Sequence, residues 1–136
     1  MHITLRANEK IYINGAVLKP DRKVSIELLN DAVFLLQAHV MLESDATTPM
    51  RQLYYIVQLM LMDPHDLAIN QTVFTQQSRA MAAVYKDMTI LDGLAKISAL
   101  VGRKRHFEAL KLIRSLLPIE DEIIAPKPVP ALAQAS

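Results

Sequence analysis

The spacing of apolar residues changes once along this chain, from every second position to every third or fourth. That change limits the fold more than any other feature. Up to residue 44 the pattern alternates: Ile3 and Leu5, then Ile11 and Ile13, then Val24, Ile26 and Leu28 are separated by polar neighbours. This is the signature of half-buried strands. Asn14-Gly15 stands between Ile13 and Ala16-Val17-Leu18, which predicts a tight hairpin, because both turn residues tolerate positive φ. Pro20-Asp21-Arg22 and Asn30-Asp31 predict two further turns. The run 33–36 opens with β-branched and aromatic residues after a turn and predicts another strand, extendable through His39 and Val40.

From residue 45 onward the period is helical. Thr48 is an N-cap, and Pro49 occupies the first helical position, where its missing N–H costs nothing. Met50, Leu53, Tyr54, Val57, Met60 and Leu61 follow in helical register, and Ile56 and Leu59 make this helix apolar nearly all round. It is therefore expected at the centre of the fold or against a partner. Asp63-Pro64 ends it. A second helix is predicted over about 66–85 and a third over about 89–101, with Gly102 as the residue that closes it. A fourth is predicted over about 104–117, stopped by Pro118. The expected fold class is α+β: a small N-terminal antiparallel β-sheet followed by about four α-helices forming antiparallel hairpins. It is read as a single domain over 1–124, β-rich over 1–44 and helical over 45–124. The acidic run Glu120-Asp121-Glu122 is expected to be a solvated end. The Pro/Ala-rich tail over 125–136 is expected to be disordered.

Composition narrows the function classes. The chain has 136 residues, 51% of them apolar, enough for one core. It has no cysteine, so disulfides, thiolate nucleophiles and cysteine metal sites are excluded. The four histidines, His2, His39, His65 and His106, are too far apart in sequence for a zinc-ligand pair. Three glycines, Gly15, Gly93 and Gly102, build no phosphate loop, and no serine lies in a nucleophile elbow. No catalytic residue, metal, cofactor or small-molecule substrate is expected, and the chain is read as a non-enzyme. Its most apolar stretch, 53–62, is about half the ~20 residues that a membrane span requires. The N-terminus lacks the basic and apolar regions of a signal peptide. The expectation is a cytoplasmic protein without membrane attachment.

The net charge is only +1, so a polyanion site has to be a local patch. Two concentrations of cations stand out. Arg6, Lys10, Lys19, Arg22 and Lys23 face only Glu9 and Asp21 up to residue 23, a local excess of three. Lys96, Arg103, Lys104, Arg105, Lys111 and Arg114 face only Glu108 between residues 96 and 114, an excess of five, with Arg103, Lys104 and Arg105 clustered at the last hairpin turn. Such patches suit phosphate contacts, which supply affinity without reading sequence. The plain alternative is a solvated basic face. Tyr12, Tyr54 and Tyr55 offer rings for base stacking, although tyrosine at such spacing is more often core.

Three stretches carry a resemblance: residues 9–17, Glu-Lys-Ile-Tyr-Ile-Asn-Gly-Ala-Val; residues 21–30, Asp-Arg-Lys-Val-Ser-Ile-Glu-Leu-Leu-Asn; and residues 45–58, Asp-Ala-Thr-Thr-Pro-Met-Arg-Gln-Leu-Tyr-Tyr-Ile-Val-Gln. As a set they resemble the flagellum biosynthesis repressor FlbT family, and the likeness covers almost everything but the tail. The resemblance implies a post-transcriptional regulator that binds the 5′ untranslated leader of flagellin mRNA, lowers translation and promotes decay of the transcript. In some relatives the effect on flagellin is positive. It also implies a FlaF-like regulator as protein partner and leaves homo-oligomerisation open. On this reading Arg6, Lys10, Lys19, Arg22, Lys23, Arg103, Lys104 and Arg105 are the candidate RNA-binding residues. The alternative is a protein-interaction module acting on a FlaF-like partner or flagellin, supported by the all-round apolar helix behind Pro49. A fainter likeness over residues 1–17, including Arg6, is to carbon storage regulator proteins, and it implies RNA contacts on the β region and a dimer.

Overall fold

A computed structural model describes residues 1–30, 32 and 34–125. Five short strands precede four helices: β1 (His2–Leu5), β2 (Ile11–Ile13), β3 (Ala16–Leu18), β4 (Val24–Glu27), β5 (Phe34–Leu36), α1 (Pro49–Met62), α2 (Leu67–Val84), α3 (Met88–Gly102) and α4 (His106–Ile124). The class is α+β as the pattern predicts, but the strands form two antiparallel sheets, β1-β4 and β3-β2-β5. The chain from β3 does not fold back onto its neighbour. The turn at Pro20 carries β4 across to β1, where Ile3 pairs with Ile26 and Leu5 with Val24. The Asn14-Gly15 turn forms as expected, with φ of 49° and 81°, and joins β2 to β3.

The two faces of β2-β5 serve two cores. Ile11 and Phe34 are buried with Ile3 and Leu5, and Ile13, Val24, Ile26 and Leu36 close around them. Leu35 and Tyr12 turn the other way, into the helical core. This is the period of two at work, since adjacent side chains leave a strand on opposite faces. β5 is shorter than expected. Gln37–His39 forms a 3₁₀ turn, held because the Gln37 N–H donates to the Lys10 carbonyl (3.1 Å) while its side-chain oxygen accepts the Lys10 N–H (2.8 Å). Val33, and Asp31 of the expected third turn, lie outside the described residues, as does the tail from 126.

α1 is the central helix. Met50, Leu53, Tyr54, Ile56, Val57, Gln58 and Met60 are buried, covered by α2, α4 and the sheet. Most of its apolar circumference is therefore covered within the chain, with Tyr55 and Leu59 left half-exposed. Gln58, which interrupts the apolar run 53–62, is buried because it bonds the Met41 backbone twice, at 2.6 and 2.8 Å. Thr48 caps the helix, accepting the Arg51 N–H at 3.3 Å.

Two expectations about α4 fail for one reason. The helix does not stop at Pro118 but runs to Ile124, and in the acidic run beyond it Asp121 and Glu122 are exposed as expected while Glu120 is not. Glu120 is fully buried. Its Oε2 accepts the Met50 N–H (2.8 Å) and the Tyr85 hydroxyl (2.6 Å). Next to it, Arg51 grips Asp121 through both nitrogens, at 2.6 and 2.9 Å. A proline inside a helix costs about 3 kcal/mol, and carboxylates at a helix C-terminus oppose its dipole. Here they sit at the N-terminus of the antiparallel α1, where the dipole and the unpaired N–H groups favour negative charge. The tertiary contact overrides the local stop signal. Burial, followed by the Glu120 carboxylate, pushes the Tyr85 hydroxyl well above the usual phenol range, so it stays protonated and donating.

Replacing Glu120 with Ala strands two donors and should cost about 2–4 kcal/mol in urea unfolding, with Tyr85→Phe costing about 1 kcal/mol. Equal, near-zero losses would show that the contact contributes nothing.

Candidate nucleic-acid interface

Strand register decides where the first group of cations goes. Leu5 pairs with Val24 at the end of the β1-β4 ladder, so the next residues on either strand, Arg6 and Lys23, flank one another. Ile11 pairs with Leu18 and with Leu36, so Lys10 is flanked by Lys19 on one side and Gln37 on the other. The Asn8 N–H donates to the Pro20 carbonyl (2.7 Å), tying the β1–β2 turn to the β3–β4 turn. Residues separated by up to seventeen positions thus meet at one end of the two sheets. Arg6, Lys10, Lys19, Arg22 and Lys23 are all exposed there.

The two carboxylates in the same region neutralise little of this charge. Asp21 pairs with Arg22 at 3.3 Å, both more than three-quarters exposed, an arrangement worth at most about 1 kcal/mol. Glu9 turns back onto the Arg6 backbone N–H (3.2 Å). Among the described residues, Arg6, Lys10, Lys19 and Lys23 make no ion pair with a carboxylate. A shallow cleft of about 370 Å³ lies beside them, lined by Arg6, Asn8, Glu9 and Gln37 among others.

The second group, Arg103, Lys104 and Arg105, forms the turn between α3 and α4 and is exposed. Gly102 does not close α3 as expected; it is the last helical residue, and Lys104 takes the left-handed position at φ 61°. The turn is fixed by the Arg105 N–H on the Leu100 carbonyl (2.8 Å) and the Lys104 N–H on the Val101 carbonyl (3.0 Å), the crossed pair of a Schellman motif. α4 accordingly starts two residues late, at His106, and Arg105 is paired with Glu108. This turn lies at the other end of β5 from Lys10: the Phe107 ring stacks 5.6 Å from Phe34, whereas Lys10 is bound to Gln37. The structure therefore gathers five candidates at the sheet end and three at the helix turn, and it does not merge the two groups.

Sequence reasoning counted Arg114 among the basic residues and named His39, but it did not bring the two together. α4 runs alongside β5, so Arg114 reaches the residues that leave the strand. Its guanidinium donates to the Tyr54 hydroxyl (3.3 Å), and that hydroxyl donates to the His39 carbonyl. The three residues share a cleft of about 240 Å³. Burial, and then the Arg114 charge, lower the His39 pKa, so the ring is neutral at pH 7. No sequence signal joins position 39 to 114. Tyr54 is buried and Tyr12 is turned toward the helical core, which removes them as base-stacking platforms. Among the described residues no group of three or more His, Asp or Glu side chains gathers as a metal site, and no helix is long and apolar enough to cross a membrane.

The family model described as flagellar protein FlbT matches residues 1–124. The chain belongs to the FlbT family. The probable flagellum biosynthesis repressor protein FlbT 2 of Bradyrhizobium diazoefficiens is 57% identical over 125 residues, 92% of each chain. The probable flagellum biosynthesis repressor proteins FlbT of Brucella abortus and Brucella suis are each 49% identical over 129 residues, 95% of this chain and 85% of theirs. No solved structure matches. The FlbT match spans both basic groups, the sheet pair and the Glu120 contact, and leaves out only the last twelve residues.

Lys104→Gly removes a candidate cation while relieving a left-handed backbone position that costs about 1–2 kcal/mol for a residue with a Cβ. It should raise stability by up to about 1 kcal/mol after the unfolded-chain entropy of glycine is counted, and a loss instead would mean the turn is not strained. His39 and His106 are both held below the ordinary histidine value of 6.5, each by burial first and then by a neighbouring cation, Arg114 and Lys104 respectively. Their unfolded forms take up protons more readily, so this part of the stability is present above pH 6.5 and fades as pH falls below it. Urea unfolding between about pH 7.5 and about pH 5.5 should show the decline, and His106→Gln should flatten it in part.

Proposed function

We propose that this chain is a cytoplasmic repressor of flagellum biosynthesis that binds the 5′ untranslated leader of flagellin mRNA with the basic end of its two sheets. The observation that carries this reading is the cluster of Arg6, Lys10, Lys19 and Lys23, which strand register holds together without carboxylate partners. Membership of the FlbT family and the repressor names of its relatives support the flagellar part. The near-neutral chain gives little long-range attraction for RNA. A preassembled cluster of cations does so locally, because each phosphate neutralised releases a condensed counterion.

In this mechanism Arg6, Lys10, Lys19 and Lys23 hold the backbone of an unpaired loop, with Arg22 at the margin. Bases in such a loop are unstacked and open to recognition. Arg103, Lys104 and Arg105 form a second phosphate contact at the helix turn. An occupied leader is withheld from initiation, which lowers translation and exposes the transcript to decay. A FlaF-like regulator is the protein partner in this reading. The competing reading, a protein-interaction module without direct RNA contact, relied on the apolar helix behind Pro49. Most of that helix is covered by the chain's own α2, α4 and sheet, which leaves only Tyr55 and Leu59 half-exposed for such a partner.

A gel shift with the cognate flagellin leader tests the proposal. Replacing Arg6, Lys10, Lys19 and Lys23 with Ala should abolish binding at moderate salt and reduce the slope of log K against log salt by up to ~3, about 0.7 for each contact to a single strand. A Lys104/Arg105 charge swap should leave most of the affinity. Purified wild-type protein with no affinity for the leader, but tight binding to a protein partner, would overturn it.

A further inference from the structure

α2 is exposed along a face that does not look like a solvated one. Phe74, Ser78 and Met81 form its buried side. On the opposite side Ile69, Val73, Gln76, Ala80 and Ala83 are exposed, with Ile69 at 65% and Val73 at 40%. Their spacings are four, three, four and three residues, the heptad spacing of a helix–helix seam. The helix has eighteen residues and one charge, Arg79. Thr72 and Thr75 direct their hydroxyls onto the Ala68 and Gln71 carbonyls of the same helix, at 3.2 and 3.0 Å, so they add no free polarity. Depletion of charge, and of Lys, Asp and Glu above all, marks the core of an interface.

We infer that this face is a homodimer interface in which α2 packs antiparallel on α2 of a second copy, about a two-fold axis through Gln76. The pattern is self-complementary. The large residues, Ile69 and Val73, lie before Gln76, and the small ones, Ala80 and Ala83, lie after it. Antiparallel pairing about Gln76 puts Ile69 opposite Ala83 and Val73 one residue from Ala80, with Arg79 at its flank, large against small on both halves. Parallel pairing would crowd the large residues together and leave the alanines facing a gap. A polar residue at the centre of an otherwise apolar seam fixes register, and the two Gln76 amides can bond one another across the axis. The neutral face brings no like charges into opposition, and α2 carries no carboxylate to attract the basic residues elsewhere on the molecule. This inference is independent of the RNA reading.

A helix of this length is about 27 Å long, so the seam buries less than the ~800 Å² per partner of a standard interface. A weak dimer is expected, with a dissociation constant in the micromolar range. Sedimentation equilibrium of the full chain should show dimer at about 100 μM protein, and Val73→Glu should abolish it without changing thermal stability; Ala80→Glu repeats the test at a second exposed site. The cysteine-free chain allows a geometric check. Gln76→Cys places two thiols at the axis and should form an intermolecular disulfide in mild oxidant. Ile69→Cys places them about 21 Å apart along the helices and should not. A wild type that stays monomeric at that concentration, or Ile69→Cys crosslinking as readily as Gln76→Cys, would overturn the inference.

Discussion

The buried carboxylate of Glu120 holds the helical half together. It closes the N-terminus of α1 through the Met50 N–H and fixes the end of α2 through Tyr85, and it sits on α4 beyond a proline that would otherwise end the helix. Three elements therefore meet at one side chain. Burying a carboxylate is costly unless hydrogen bonds and dipoles compensate. Here the dipole of α1 and two short hydrogen bonds to Oε2 offset the cost, while Oε1 is buried with no hydrogen-bond partner and has the Arg51 guanidinium at 3.9 Å. The opposite end of the same α1–α4 pair carries the turn with Arg103, Lys104 and Arg105, and its flank carries β5.

That frame determines what the strands can do. β2 and β5 rest Tyr12 and Leu35 on the helices and present Ile11 and Phe34 to the β1-β4 pair. The sheets are short, and their stability comes from being packed against something. Once their register is set, the cations that follow or precede each strand have no freedom to disperse. Charge is concentrated by backbone pairing, in a chain whose totals of acidic and basic residues nearly cancel. The exposed, nearly uncharged α2 lies outside this arrangement.

The alternation of Ile3, Leu5, Ile11 and Ile13 and the Asn14-Gly15 turn made the strands legible, and Thr48-Pro49 made the start of α1 legible, because each is a local signal with a local cause. The division into two sheets was not legible, since nothing near Pro20 indicates that β4 pairs with β1 rather than with β3. The extension of α4 past Pro118 was hidden for the same reason: its cause, the N-terminus of α1, lies seventy residues away at Met50. Gly102 offered the expected end of α3, yet Lys104 took the left-handed position, because the turn closes on Leu100 and Val101. The eight candidate cations were visible as composition. Which of them stand together was visible only through register, and the neighbourhood of His39 and Arg114 only through the packing of α4 beside β5.

The central claim is that strand register builds an RNA-binding surface at one end of the sheets. A residue-resolved photo-crosslinking map of the full chain on the flagellin leader tests it most directly. The account predicts crosslinks concentrated at residues 6–10 and 19–23, a smaller set at 103–105, and none along the outer face of α2. Crosslinks centred on α2, or none at the sheet end despite tight leader binding, would contradict it.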